Sequence, residues 1–388
     1  MHTIAYFVHL RYTLGMFIGI DTFGCDHGRS GVGSYLLSLV KALPLSDSVQ
    51  FGLFGGEVDR YTYTSPNQFA FERVDVPDSL PAERLWHIMS ANKFAARQGY
   101  DVVLYAAGSR MLPRSFKKVP GVAVVIDLIS SKVNADSDFW QRKRMVRSLS
   151  KAQCIIAASM FIKKDLERSG VKSSRIEVVH NGIDHSLFFP KAMGEDEVLD
   201  IKPFAIKRPY FIYASRLLGP EKKHTELIQA FSLFKQKTGL PHRLVLAGSD
   251  GPYAEEVHKA ALESPFASDI FITGYFPHES FPLLYRGAEA CLFPSVSEGV
   301  GLPVLEAMAT GLPVACAKAG ALPEIAGEHA LYFDSDNTEE MALCMERLVS
   351  DANLRQKLVA GGIEWAARFS WEKTAQETLA VLQSVAKK

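Results

Sequence analysis

Two glutamates, Glu298 and Glu306, bracket the segment of this 388-residue chain that is richest in chemistry. Glu298 follows a short apolar run, residues 290–293, and precedes Gly299 and Gly301, where the backbone can turn sharply and a ligand can come close. Pro303 suits the first position of a helix, where its missing N–H would lack a partner in any case. Gly311 suits a left-handed helix end. The helix between them, residues 303–310, is apolar nearly all round and therefore reads as buried, with Glu306 in its midst. A buried carboxylate needs a partner, either a salt bridge in the core or a ligand hydroxyl. Glu298 favours the ligand. It lies in a loop after a strand, where open parallel sheets bind ligands, beside amides able to hold an anion or a sugar. Upstream, Arg216 follows the apolar run 210–214, and Lys222 falls near the start of a helix reaching to about residue 234. Two cations so placed can neutralise a diphosphate from several directions, arginine with a bidentate fork.

These groups need strands to carry them. Strand-like runs at residues 16–21, 49–54, 69–76, 101–106, 121–127 and 154–158 alternate with helical patterns at 34–43, 82–98 and 139–151. A second series begins at 210–214 and continues through 244–247, 270–272, 290–293 and 313–317. Such alternation predicts two α/β units with mainly parallel sheets covered on both faces. Asn181-Gly182 is a strong turn signal that closes the first unit, and the polar segment 191–208 reads as an exposed linker. The predicted domains are therefore residues 1–190 and 209–369, with a last helix over 370–388. Residues 1–15 stand ahead of the first core strand as an extension. They show no small-residue cleavage site, which argues against a signal peptide.

Several loop residues have two readings. Gly28, Gly31 and Gly33 are spaced G-x-x-G-x-G, not as the dinucleotide fingerprint, so they mark either a tight connection or a phosphate loop. His27 beside them reads as an exposed loop histidine. Asp127 closes its strand at the carboxyl end, where open sheets place function. Tyr275 and Phe276 at another strand end are either core or a stacking platform for a base. Asp136-Ser137-Asp138 has the form of a metal motif, but such pairs are usually turns or caps, and Asp334-Ser335-Asp336 repeats it. Basic residues crowd a loop (Arg110, Arg114, Lys117, Lys118) and a helix (Arg142, Lys143, Arg144, Arg147, Lys151). They form either a solvated face or a surface for anionic lipid or a pyrophosphate-linked acceptor.

Composition narrows the function classes. A formal net charge of zero argues against nucleic acid as a partner. Five scattered cysteines without a C-x-x-C pair read as reduced thiols of a cytosolic protein. No apolar run approaches the length of a membrane span.

The segment E-G-V-G-L-P-V-L-E-A-M-A-T-G-L-P-V, from Glu298 to Val314, resembles the Glu-x7-Glu signature of glycosyltransferase family 4. It departs from the family pattern only at Val300, where Phe is usual. The spacing of Arg216 and Lys222 is similar to the family's R-x5-K, and counting from Ala230-Phe231 selects Lys222 over Lys223. The glycine loop at Gly31, the strand end before Tyr275 and Leu322-Pro323-Glu324 also match family segments. Where many relatives carry I-H-D-L, this chain has V-I-D-L, with Ile126 in the histidine's place. The resemblance implies a GT-B fold: two Rossmann-like domains facing across a cleft, with the last helix crossing back to the first. It implies a retaining transfer of a hexose, from GDP-mannose or UDP-glucose, to a glycan or lipid-linked acceptor. Arg216, Lys222 and Glu298 become the catalytic group. Glu298, Val300, Gly301 and Leu302 hold the donor sugar, and Glu306 with Tyr275 or Phe276 holds the nucleoside. Gly31 and Asp127 face phosphate or acceptor, and neither metal nor cofactor is required. Two alternatives remain: a GT-B epimerase or hydrolase of nucleotide sugars, and a catalytically silent nucleotide-sugar-binding protein.

Overall fold

The computed structural model describes residues 15–64, 69–128, 139–191, 199–201 and 204–386. The chain divides into two units. One comprises residues up to Asn181 together with Trp371–Lys388, and the other comprises Gly182–Ser370. The boundary at Gly182 comes ahead of the predicted linker.

In the first unit the strands are β1 (Met16–Asp21), β2 (Val49–Gly55), β3 (Ala70–Arg73), β4 (Val102–Tyr105), β5 (Gly121–Val125), β6 (Cys154–Ala157) and β7 (Ile176–Val178). They form one parallel sheet in the order β3-β2-β1-β4-β5-β6-β7. The central strands β4, β5 and β6 are buried at every residue, which is why their sequences are unbroken apolar runs. Helix Trp371–Ala386 packs against helix Gly31–Ala42 and β4. Trp371 meets Tyr35 edge to face, and Thr374 donates to the His180 carbonyl at 2.8 Å.

The second unit holds β10 (Tyr210–Ala214), β11 (Arg243–Ala247), β12 (Ile270–Ile272), β13 (Ala290–Phe293), β14 (Val314–Ala317) and β15 (Leu331–Phe333). They pair in parallel in the order β12-β11-β10-β13-β14-β15. This is a doubly wound arrangement whose order reverses between β10 and β13, the place where such sheets open a ligand crevice. Helix Leu302–Ala309 has every residue from Val304 onward buried, as its composition requires. It enters from Gly301 at φ +71° and exits through Gly311 at φ +78°.

Three expectations change. The segment 191–208 contains a small antiparallel hairpin, β8 (Leu199–Ile201) with β9 (Phe204–Ile206), and Ile206 is buried. The helix expected over 82–98 starts at Leu80 and is interrupted by a π-helical turn, His87–Ala91. His87 in that turn reaches the buried Asp21 at 2.7 Å, a tertiary partner that periodicity cannot reveal. The helix expected from residue 34 begins at Gly31, because Ser30 caps it by accepting from the Gly33 amide at 3.2 Å. Residues 1–14, the Asp136-Ser137-Asp138 motif and most of the linker acids lie outside the described residues. Among the described residues no helix is long and apolar enough to cross a membrane, and all five cysteines are buried thiols outside any disulfide.

Candidate active site

The site in the second unit is built on the two strand ends that flank the reversal. From β10 the chain runs through Ser215 and Arg216 into the short 3-10 turn Pro220–Lys222, then into helix His224–Thr238. From β13 it runs through the loop of Glu298 into helix Leu302–Ala309. The two loops are stitched together: the Val296 amide donates to the Glu221 carbonyl at 2.9 Å. Tyr213, fully buried on β10, donates its phenol to the Lys222 carbonyl at 2.9 Å and supports the turn from beneath. Behind Glu298, the left-handed Gly320 approaches its backbone so closely that a Cβ there would sit 2.8 Å from the Glu298 oxygen.

This scaffold brings Lys222 and Glu298 into contact, Nζ to Oε1 at 2.5 Å, with both side chains largely shielded. An ammonium has three donors, so two remain for a ligand. Arg216 is exposed at the same strand end, with Nε donating to Ser249 at 3.1 Å. The neighbouring Lys223 is engaged elsewhere, with Glu226 at 2.8 Å and Asp336 at 2.6 Å. Asp334-Ser335-Asp336 thus forms a turn that anchors Lys223, and among the described residues no group of three acids, histidines or cysteines is placed to hold a metal.

Glu306, two helical turns further on, is buried, and its partner is a residue that sequence reasoning missed. His278 places Nε2 3.0 Å from its Oε1. His278 follows Tyr275 and Phe276, so those two residues lead directly to Glu306. They differ sharply: Tyr275 is 77% exposed, whereas Phe276 is buried against Phe281. Phe276 is therefore core, and only Tyr275 is free to stack. Val300, Gly301 and Leu302 line the start of the helix beside Glu298.

Gly31 and Asp127 lie in the first unit, both exposed. Nothing would meet a Cβ at Gly31, whereas at Gly33 it would come 2.2 Å from the Cys25 carbonyl. Gly33 is therefore the glycine that the tight turn demands. Ile126 is buried. His27 is not a free loop residue: Nδ1 is 2.7 Å from Asp59, which is buried and also accepts from Thr22 at 2.6 Å. Burial raises the Asp59 pKa against the pull of these partners. His27 and Asp59 line a cavity of about 680 Å³ with Phe23, Arg29, Asp78 and Leu80.

The close approach of β10 and β11 beyond Arg216 carries its own test. A Cβ at Gly248 would lie 2.0 Å from the Ser215 carbonyl. Backbone cannot yield as a side-chain tip does, so Gly248→Ala should cost at least about 2 kcal/mol of stability in denaturant titration.

The sequence pattern described as "Glycosyl transferases group 1" matches residues 195–365, and that of "Glycosyltransferase Family 4" matches residues 29–187. Together they account for most of the chain. It belongs to the family 4, group 1 glycosyltransferases. This glycosyltransferase is 26% identical over 366 residues to the O-antigen chain mannosyltransferase B of Escherichia coli, covering 90% of this chain and 95% of that protein. Its fold is that of Anabaena HepE, solved with UDP and glucose, at a TM-score of 0.71 and 18% identity over 95% of this chain and 100% of that one. Sucrose-phosphate synthase from Thermosynechococcus elongatus gives 0.70 and 18% over 95% and 98%. The two parallel-sheet units of this glycosyltransferase are those of the GT-B fold.

Proposed function

We propose that this glycosyltransferase moves a hexose, mannose in preference to glucose, from a nucleoside diphosphate sugar to a glycan or lipid-linked acceptor in surface-polysaccharide assembly. The configuration at the anomeric carbon is retained. The observation that carries this reading is the Lys222–Glu298 pair at the sheet reversal, with Arg216 beside it. The acceptor oxygen bonds to the anomeric carbon on the face from which the diphosphate departs. The acceptor's proton passes to a phosphate oxygen of that leaving group. Arg216 and the two free donors of Lys222 stabilise the charge that develops there, so this reading requires neither metal nor cofactor. Glu298, tied to a cation, serves as a hydrogen-bond acceptor for sugar hydroxyls and not as a nucleophile. Glu306 takes the ribose, and Tyr275 stacks on the base.

Preference for mannose follows the likeness to the mannosyltransferase. The acceptor belongs to the first unit, at the cavity beside His27 and Asp59. Elsewhere in the first unit Lys151 donates to the Arg114 carbonyl at 3.2 Å, which joins the basic loop to the end of the basic helix. We place the enzyme in the cytoplasm, with this surface against anionic lipid at about 1 kcal/mol per basic residue. The test is an assay with GDP-mannose and UDP-glucose, with and without a mannose-ended oligosaccharide. Transfer only in the presence of the oligosaccharide, with the donor's anomeric configuration kept in the NMR spectrum of the product, is expected. Sugar release or epimerisation without acceptor would instead make the protein a hydrolase or epimerase. Nucleotide-sugar binding without turnover would make it a silent binder.

A further inference from the structure

The position of His278 is not explained by the transfer reaction itself. Its ring is 58% exposed, yet it is fixed on three sides. Glu306 takes Nε2, Phe188 lies edge-on at 5.3 Å, and Phe281 lies at 6.4 Å. Phe188 is fully buried, and so is Tyr285, which packs against both Phe188 and Phe281, so these walls do not move easily. The 3-10 turn His278–Ser280 that carries the ring follows left-handed Gly274 and buried Phe276. His278 bonds the Glu306 carboxylate at Oε1, and the buried phenol of Tyr285 faces the same carboxylate. Oε1 is thus tied to the imidazole, which restricts the side chain's torsions.

We propose that His278 is a positioning residue for nucleotide recognition: it holds Oε1 of Glu306 so that Oε2 is presented to a ribose hydroxyl. The proposal rests on the reading of Glu306 as the ribose-binding carboxylate and adds the group that makes it selective. A carboxylate on a freely rotating stem loses rotamer freedom when it binds, whereas one already fixed by a ring does not. The charged groups around the ring are Glu306 on its helix, Glu279 within its own turn and Asp184 from the start of the unit, while Tyr285 on helix Phe281–Gly287 faces the Glu306 carboxylate. The hydrogen bond to Glu306 raises the His278 pKa, while burial opposes it and the other two carboxylates reinforce it. An Nε2–H donates to Oε1 in the neutral and the protonated ring alike, so the positioning does not depend on the charge state.

The experiment measures calorimetric binding of UDP and GDP, and of their 2′,3′-dideoxy counterparts, to the full chain. In the unsubstituted protein the diphosphate that binds should be preferred over its dideoxy form by about tenfold, the value of roughly one hydrogen bond. His278→Ala should bring that preference within twofold while melting temperature and affinity for the dideoxy form hold. His278→Gln, which restores an N–H near the position of Nε2, should recover most of it. A preference unchanged in His278→Ala, or an equal loss for both ligands, overturns the proposal. Glu306→Ala separates the two layers. If it keeps the ribose preference, the reading of Glu306 has failed, whatever His278 does. If neither diphosphate binds the unsubstituted protein, the donor site itself is misplaced and the proposal falls with it.

Discussion

Lys222→Ala is expected to lower kcat/KM for sugar transfer about a hundred- to a thousandfold, while Lys223→Ala lowers it by no more than a few-fold. The adjacent lysines differ in what they face. Lys222 is joined to Glu298 at 2.5 Å and keeps two donors for the leaving diphosphate. Lys223 spends its charge on Glu226 and Asp336. Removing one electrostatic donor from the charge that develops in a transition state typically costs about 3–4 kcal/mol, which sets the range. Part of the effect comes from Glu298: without its cation the carboxylate is left largely shielded and uncompensated, and breaking such a pair is itself destabilising. Lys222→Arg therefore serves as the control, since it retains the charge and the pairing with Glu298. It should melt near the parent temperature and still transfer slowly, because a planar fork does not replace a compact ammonium. Steady-state kinetics and thermal melts on the three variants decide the matter. A Lys223→Ala enzyme crippled while Lys222→Ala worked would reverse the register and remove the donor assignment.

The choice of Lys222 over Lys223 comes from the family resemblance, counted from Ala230-Phe231, but the strand ends that carry these residues are legible locally. Strands buried on both faces must be continuous apolar runs, so β10 and β13 stand out in the sequence, and whatever follows them lies at the open end of the sheet. Arg216, Lys222 and Glu298 could be placed there because their location depends only on position along the chain relative to those ends. Pro303 and Gly311 likewise mark the Glu306 helix by backbone conformation alone. What could not be read depends on contacts between distant segments. His278 sits in an ordinary polar turn, and nothing in Pro277-His278-Glu279 signals that its ring meets Glu306. His27 looks like a loop histidine until the helix Glu57–Tyr63, which follows β2, brings Asp59 alongside. Tyr275 and Phe276 are equivalent as sequence, and only packing against Phe281 separates them. The π-helical turn belongs to the same class, because its cause is Asp21, on the first strand of the sheet. The hairpin of β8 and β9 was hidden by the polar composition around it.

The buried histidines lead to the second large effect, an opposite response of the two units to pH. In the first unit, burial opposes protonation of His87, but the Asp21 carboxylate and its hydrogen bond outweigh it and raise the His87 pKa. Between 6.5 and that raised value the folded state holds a proton that the unfolded chain has released. The stabilisation is therefore complete below 6.5 and is lost as pH rises through the folded value. Asp59, raised by burial, and Glu83, raised to about 6 by burial and by Asp78, act in the same direction at lower pH. The exposed Asp26, lowered by Ser30 and Arg110 against the effect of burial, opposes them weakly. In the second unit the sign reverses. His224, fully buried against Tyr213, is lowered to about 4 by burial, with Lys222 adding to the effect, and burial lowers His242 as well. Below 6.5 the unfolded chain gains protons that the folded unit refuses, so stability falls as pH drops from 6.5 toward 4. His224 alone accounts for about 3 kcal/mol of that fall. Hydrogen exchange followed by mass spectrometry, corrected for intrinsic exchange rates, should show β13 losing protection on going from pH 7 to pH 4.5 while β5 gains it. From pH 6 to pH 8 β5 should weaken more than β13, because the raised histidine of the second unit, His278, is largely exposed and its pairing with Glu306 is screened by solvent. His224→Phe, which keeps a ring against Tyr213, should flatten the acid response of the second unit and leave the first unchanged. His87→Ala leaves Asp21 buried without its cation, a change that costs about 3–5 kcal/mol, and it should weaken the first unit at every pH below the raised His87 value. Parallel behaviour of both strands across this range would show that these buried rings do not govern stability.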